Sequence, residues 1–144
     1  VHDMEVEIDR IERVPSIWPL AGHAGRISSG FGYRRDPITY RVRHHDGTDI
    51  AANYGTKVRA TAKGVVKKSF YDRWLGHLVQ IDHGNGMETW YGHLAKRHVE
   101  RGETVDREDT IGTVGSSGRS TGPHLHYEVH VKGRRVDPEK YLSD

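Results

Sequence analysis

Cysteine is absent from the 144 residues, which removes disulfides, thiolate metal sites and cysteine nucleophiles together. Both a secreted bacterial protein and a cytosolic one are compatible with that absence. Long apolar runs are missing too. Nothing approaches the roughly 18 consecutive apolar residues of a membrane span, so no span is expected. Charge of one sign is also lacking: 22 Lys and Arg face 20 Asp and Glu. No basic stripe with interleaved aromatics occurs, which argues against a nucleic-acid partner. The first residue is Val1 and no signal-like segment follows it, so the chain reads as a processed product or a part of something longer.

Glycine and histidine are plentiful. Seventeen glycines beside only 34% hydrophobic residues suit many short strands joined by tight turns, and the length fits one domain. Eleven histidines are more than a surface of this size needs. No partner face is evident, and a monomer is expected.

Met4, Ile8 and Ile11 place a thin apolar stripe on a charged N-terminal segment, which suits a linker or a loosely packed crossing helix. Pro15 and Pro19 end any helix. The expected division is an extension over 1–20 and a domain over 21–144. Beyond Arg26 the pattern is β. Asp36-Pro37 marks a turn, and 36–44 is expected to be a polar loop. Strands are expected over Val58–Ala62, Gly64–Tyr71, Leu78–Asp82 and Met87–Leu94, with Asn85-Gly86 as the hairpin signal between the last two. Val105 and Ile111–Val114 give shorter strands. In Leu125–Val131, Leu125, Tyr127, Val129 and Val131 face one way, and His126, Glu128 and His130 face the other with His124. The sum is a mainly β, antiparallel domain with little helix.

Three short patterns carry chemistry. In His45-Asp46-Gly47-Thr48-Asp49, Gly47 lets the backbone turn so that His45 and Asp49 converge, and both are ordinary zinc ligands. His124-Leu125-His126 puts two imidazoles on one strand face about 7 Å apart, convenient for one ligand and one neighbour. Trp90-Tyr91-Gly92-His93-Leu94 leaves a single histidine at a strand end.

These residues, together with Ser29-Gly30-Phe31-Gly32-Tyr33-Arg34 and Ser120-Thr121-Gly122-Pro123 before His124, make the chain resemble the lysostaphin-like, or LytM-type, zinc peptidases, the M23 family. The likeness runs from about Pro15 to Pro138 in the family's order. It implies the family's antiparallel fold (a duplicated hybrid motif) and one Zn2+ per domain held by His45, Asp49 and His126. It implies catalytic roles for His93 and His124. Asn53 and Tyr40 depart from the family's common Pro and Gly, away from these positions.

The resemblance further implies an endopeptidase acting on peptidoglycan peptides, at cross-links from D-Ala to a diamino acid, and hence an extracytoplasmic location. The alternatives are a glycine-bridge endopeptidase and a non-enzymatic LytM-type activator of cell-wall amidases. Such activators lack ligands that are all filled in this chain. Glu128 is expected to be a surface carboxylate and His83 to belong to the hairpin turn. His44 and His130 are read as bystanders, and Tyr40 as a candidate hydroxyl for an oxyanion.

Overall fold

The computed structural model describes residues 2–35 and 39–142. The turn expected at Asp36-Pro37 lies outside the described residues. Helix α1 (His2–Glu12) precedes a β fold. Its strands are β1 (Arg26–Ser29), β2 (Gly32–Arg35), β3 (Val42–His45), β4 (Thr48–Ala51), β5 (Lys57–Arg59), β6 (Gly64–Asp72) and β7 (Gly76–Gly84). They continue as β8 (Met87–Arg97), β9 (Thr104–Val105), β10 (Thr110–Val114), β11 (His124–Val131) and β12 (Arg134–Val136).

The main sheet runs β1-β4-β11-β8-β7-β6-β9, with β10 bridging β8 and β5 and β12 flanking β11; β2 and β3 form a separate hairpin. Pairing is antiparallel in each of these pairs. The Asn85-Gly86 signal is met: β7 and β8 meet there, with both residues at positive φ. The loop expected over 36–44 is shorter, because Val42 to His45 pair with β2. That strand has little apolar pattern of its own and forms through its partner.

The core is built from Ile50, Val58, Val79, Ile81, Leu94, Ile111 and Leu125, all without measurable exposure. Burying each such branched side chain contributes about 1.5–3 kcal/mol. Trp18 and Leu20, assigned from sequence to the extension, are buried in the same core at 7% and 0% exposure. On α1 the apolar stripe stays exposed, while the helix end is tied down by polar contacts. The Lys63 amide donates to Glu12 O at 2.9 Å, and Arg107 Nη2 donates to Ile11 O at 2.7 Å. The guanidinium is a cation suited to a helix C-terminus.

β11 lies between β4 and β8, and its register sets which side chains meet across the sheet. His126 pairs with Asp49 on one side and with Gly92 on the other. Alternation along β11 is as expected, yet both of its faces are buried. On the core face, Tyr127 lies opposite Tyr91 and begins a buried chain of hydrogen bonds. His83, expected in a turn, is fully buried within β7 at the far end of that chain.

Direction in the chain is set by its last acceptor. His83 Nδ1 meets the Lys63 carbonyl at 2.9 Å, and a carbonyl only accepts, so the proton is on Nδ1 and Nε2 accepts. Thr89 Oγ1 therefore donates to His83 Nε2 at 2.7 Å and accepts from the Tyr91 hydroxyl at 2.7 Å. Tyr91 in turn accepts from Thr61 Oγ1 at 3.0 Å, which accepts from the Tyr127 hydroxyl at 2.8 Å. Burial lowers the His83 pKa, consistent with this neutral imidazole. Thr89→Val keeps the shape but leaves the Tyr91 hydroxyl without its acceptor. We expect a loss of about 1–3 kcal/mol, read as a lower urea midpoint with an unchanged slope.

Candidate metal centre

Asp49 comes from β4 and His126 from β11, side by side in the sheet, while His45 ends β3 just before β4 begins. One ligand-type atom from each of the three lies within 4.8 Å of the others. Asp49 Oδ2 is 3.3 Å from His45 Nε2, and Asp49 Oδ1 is 2.7 Å from His126 Nδ1. Gly47 makes this approach possible. A Cβ there would stand 2.8 Å from Glu128 Cγ and 3.1 Å from His126 Cε1, so the glycine expected to turn the backbone also leaves room for the neighbouring strand's side chains.

His93 and His124 join the same group. Their rings lie 4.6 Å apart between centroids, and His93 is 6.0 Å from His126. His124 Nε2 is 3.9 Å from Asp49 Oδ1. His93 is aimed by a bulge: Gly92 and His93 together oppose Leu78, since Tyr91 pairs with Val79 and Leu94 with His77. The His93 backbone is left-handed at φ 60, a conformation that costs a non-glycine residue and that bulges near functional sites maintain.

Each imidazole is anchored by its other nitrogen. His45 Nδ1 donates to Gly30 O at 2.8 Å, His93 Nδ1 to Ser117 O at 2.7 Å, and His124 Nδ1 to Gly122 O at 2.9 Å. Since carbonyls only accept, the proton of each neutral ring is on Nδ1 and the Nε2 lone pair is free toward the centre. Burial pushes the His93 pKa down, against the pull of the Ser117 carbonyl, which favours its neutral form.

His126 is anchored differently, and by a group that was expected to be a surface carboxylate. Glu128 is buried at 2% exposure and takes His126 Nε2 on Oε2 at 2.7 Å. Its Oε1 accepts from His130 Nε2 at 2.7 Å and from Arg135 Nε at 3.1 Å. His130 is likewise buried and stacks on Trp90 at 4.3 Å. Burial alone would raise the Glu128 pKa, but the imidazoles of His126 and His130 hold it at about 2. Burial would likewise raise Asp49, yet the hydrogen bond from His126 and the His45 imidazole beside it keep its carboxyl well below the ordinary range. Burial would lower His126; the two carboxylates reverse this and push it up.

Asp49 and His126 thus share a proton where a cation can stand, and His45 Nε2 faces the same point. A carboxylate oxygen and two imidazole nitrogens, with outer-shell partners holding the rings, form a donor set that fits a metal ion such as zinc. A groove of about 350 Å³ opens over it, lined also by Arg34, Trp74, Leu75, Arg119 and Thr121. Tyr40 does not line it and is 71% exposed, so the hydroxyl considered from sequence is not brought in. His44 pairs with Asp46 at 3.1 Å instead.

The sequence matches the description Peptidase family M23 over residues 43–138. It is 50% identical over 113 residues to the DD-carboxypeptidase/endopeptidase Mpg of Neisseria meningitidis serogroup B, covering 78% of this chain and 26% of that protein. It is 47% identical over 133 residues to the peptidoglycan DD-endopeptidase ShyA of Vibrio cholerae, covering 92% of this chain and 31% of that protein. Among solved structures, a zinc-containing peptidase from Vibrio cholerae matches with a TM-score of 0.78 and 40% identity, over 83% of this chain and 37% of that one. The expected fold is therefore found, and the chain spans between a quarter and a third of the length of the two curated relatives.

The buried anchor behind His126 yields a prediction. Glu128→Gln keeps an acceptor but removes the charge, and metal affinity should fall about 10- to 100-fold in competition with a chromophoric chelator. His44→Ala, whose side chain is turned to Asp46 and away from the centre, should leave that affinity within about twofold. Equal affinities for Glu128→Gln and the unaltered chain would remove Glu128 from the centre.

Proposed function

This chain belongs to peptidase family M23, and from that premise we propose that it is the catalytic domain of a zinc-dependent endopeptidase. Its substrate is bacterial peptidoglycan, at stem-peptide cross-links from D-Ala to a diamino acid. The observation that carries the reading is the convergence of five side chains with two different tasks. His45, Asp49 and His126 hold the ion, and three protein ligands are the number that leaves a catalytic position free. Zinc bound there supplies Lewis acidity toward a carbonyl and toward water.

The remaining chemistry belongs to His93 and His124. His93 is kept neutral by burial and has its Nδ1 proton committed to Ser117, so Nε2 accepts the proton of the attacking water. His124, with Nδ1 on Gly122, turns Nε2 toward the same point and, when protonated, donates to the carbonyl oxygen as negative charge develops. The choice of bond is supported by the relatives, of which one is named a peptidoglycan DD-endopeptidase. Such a substrate places the domain outside the cytoplasm. The domain expected over 21–144, together with Trp18 and Leu20 that are buried in its core, is read as the working unit, acting as a monomer. No helix among the described residues is long and apolar enough to cross a membrane.

The test is release of uncrosslinked stem peptides from purified peptidoglycan. Release should require zinc and disappear in His126→Ala, which should also lose the metal. His93→Ala and His124→Ala should retain the metal while losing about 100- to 10,000-fold in turnover. A domain that binds zinc stoichiometrically and releases nothing would instead point to the amidase-activator reading.

A further inference from the structure

The groove carries two cations that the proposed chemistry does not use. Arg34 enters it from β2 and Arg119 from the loop between β10 and β11. Among the described residues, Asp49 is the single carboxylate lining the groove, and it is already engaged by His45 and His126. Among the described residues, Arg34 finds Ser29 Oγ as a side-chain partner and Arg119 finds the face of Trp74 at 5.1 Å; neither partner is an acid.

Arg119 is seated rather than loose. Its amide donates to Trp74 O at 2.8 Å, and the turn that presents Trp74 is closed by Asp72, which accepts from the amides of Trp74 and Leu75 at 2.9 and 2.8 Å. Gly118, at φ +74, brings the loop so near β7 that a Cβ would stand 2.7 Å from Gly76 Cα. A guanidinium held over an indole face can still present its N–H groups, which match a carboxylate in a two-point contact.

We propose that Arg119, with Arg34, binds the free carboxylate of a diamino dicarboxylic acid on the C-terminal side of the scissile bond. The inference rests on the proposed cleavage of D-Ala to diamino-acid cross-links. When such an acid is acylated through its side-chain amino group, the carbon bonded to the scissile nitrogen carries a carboxylate. A lysine-type cross-link has a hydrogen in place of that carboxylate, and a glycine bridge continues there as an uncharged amide. The two arginines therefore select by charge among substrates that share the same amide.

The experiment compares three matched cross-linked muropeptide dimers: the free acid, the same molecule amidated at that carboxylate, and the lysine counterpart. Binding is read by calorimetry on the metal-free chain, and cleavage on the zinc-loaded chain. The free acid should bind about 10- to 100-fold more tightly than the other two, the factor given by a charge-assisted contact, with the difference in cleavage appearing in KM. Arg119→Gln should remove most of that preference while leaving the amidated dimer's affinity within about twofold, the scale of an uncharged contact. Arg119→Lys should restore part of the preference, and Arg34→Gln should act in the same direction as Arg119→Gln. Both positions are exposed, so unchanged melting temperatures are expected. Equal binding of acid and amide, or equal weakening of both by Arg119→Gln, would overturn the proposal. If none of the dimers is cleaved, the endopeptidase reading fails, and the binding contrast still decides the arginines on its own.

Discussion

His126 meets a carboxylate oxygen at 2.7 Å on each ring nitrogen, Asp49 on one side and Glu128 on the other. Two negative groups around one imidazole, Glu128 buried and Asp49 half-buried, would repel each other without the proton or metal ion between them. The surroundings supply that compensation in layers. His45 adds a second nitrogen beside Asp49, and His130 and Arg135 share the far oxygen of Glu128. Charge at the centre is thus balanced before any substrate arrives. The arrangement depends on β11 lying between β4 and β8 in one register, because a slip of a single residue would turn His126 into the core and Tyr127 out of it.

What holds that register is on the opposite face of the same strands. Tyr127 and Tyr91 are paired across β11 and β8, and their hydroxyls belong to a chain of donors with one direction, ending on a main-chain carbonyl. Every member has a partner of the right kind, the condition under which a buried polar network makes packing specific rather than costing stability. The core face fixes the strands, the strands fix the imidazoles, and local departures from regular pairing do the final aiming. The bulge at Gly92 and His93 is one departure, and the side-chain gap at Gly47 is the other.

Much of this was legible in the sequence. Alternation in 125–131 and the Asn85-Gly86 turn located three central strands, and Gly47 between His45 and Asp49 marked a place where two ligand types converge. What alternation does not report is depth. It put Glu128 and His130 on the face of His126, but a strand covered on one side and a strand covered on both have the same pattern until the whole sheet is assembled. His83 was misplaced for a related reason: its neighbours Asp82 and Gly84 are turn-like, while its partner Lys63 comes from a chain segment that no local signal joins to it. The carbonyls that anchor the imidazoles have no side-chain signature at all, and the groove arginines stand apart in sequence, at 34 and 119, until folding brings them together.

Three of the four imidazole anchors are main-chain carbonyls, at Gly30, Ser117 and Gly122. No change of side chain deletes a carbonyl, so the orientation of these rings presents a small mutational target. On the proposed function, inactivating changes are expected at the five converging residues, at Glu128 and at Gly47. The hydrogen-bonded core beneath them is made of other residues, so a lineage can abolish the chemistry through one such change and still inherit an intact scaffold, free to be kept for binding alone.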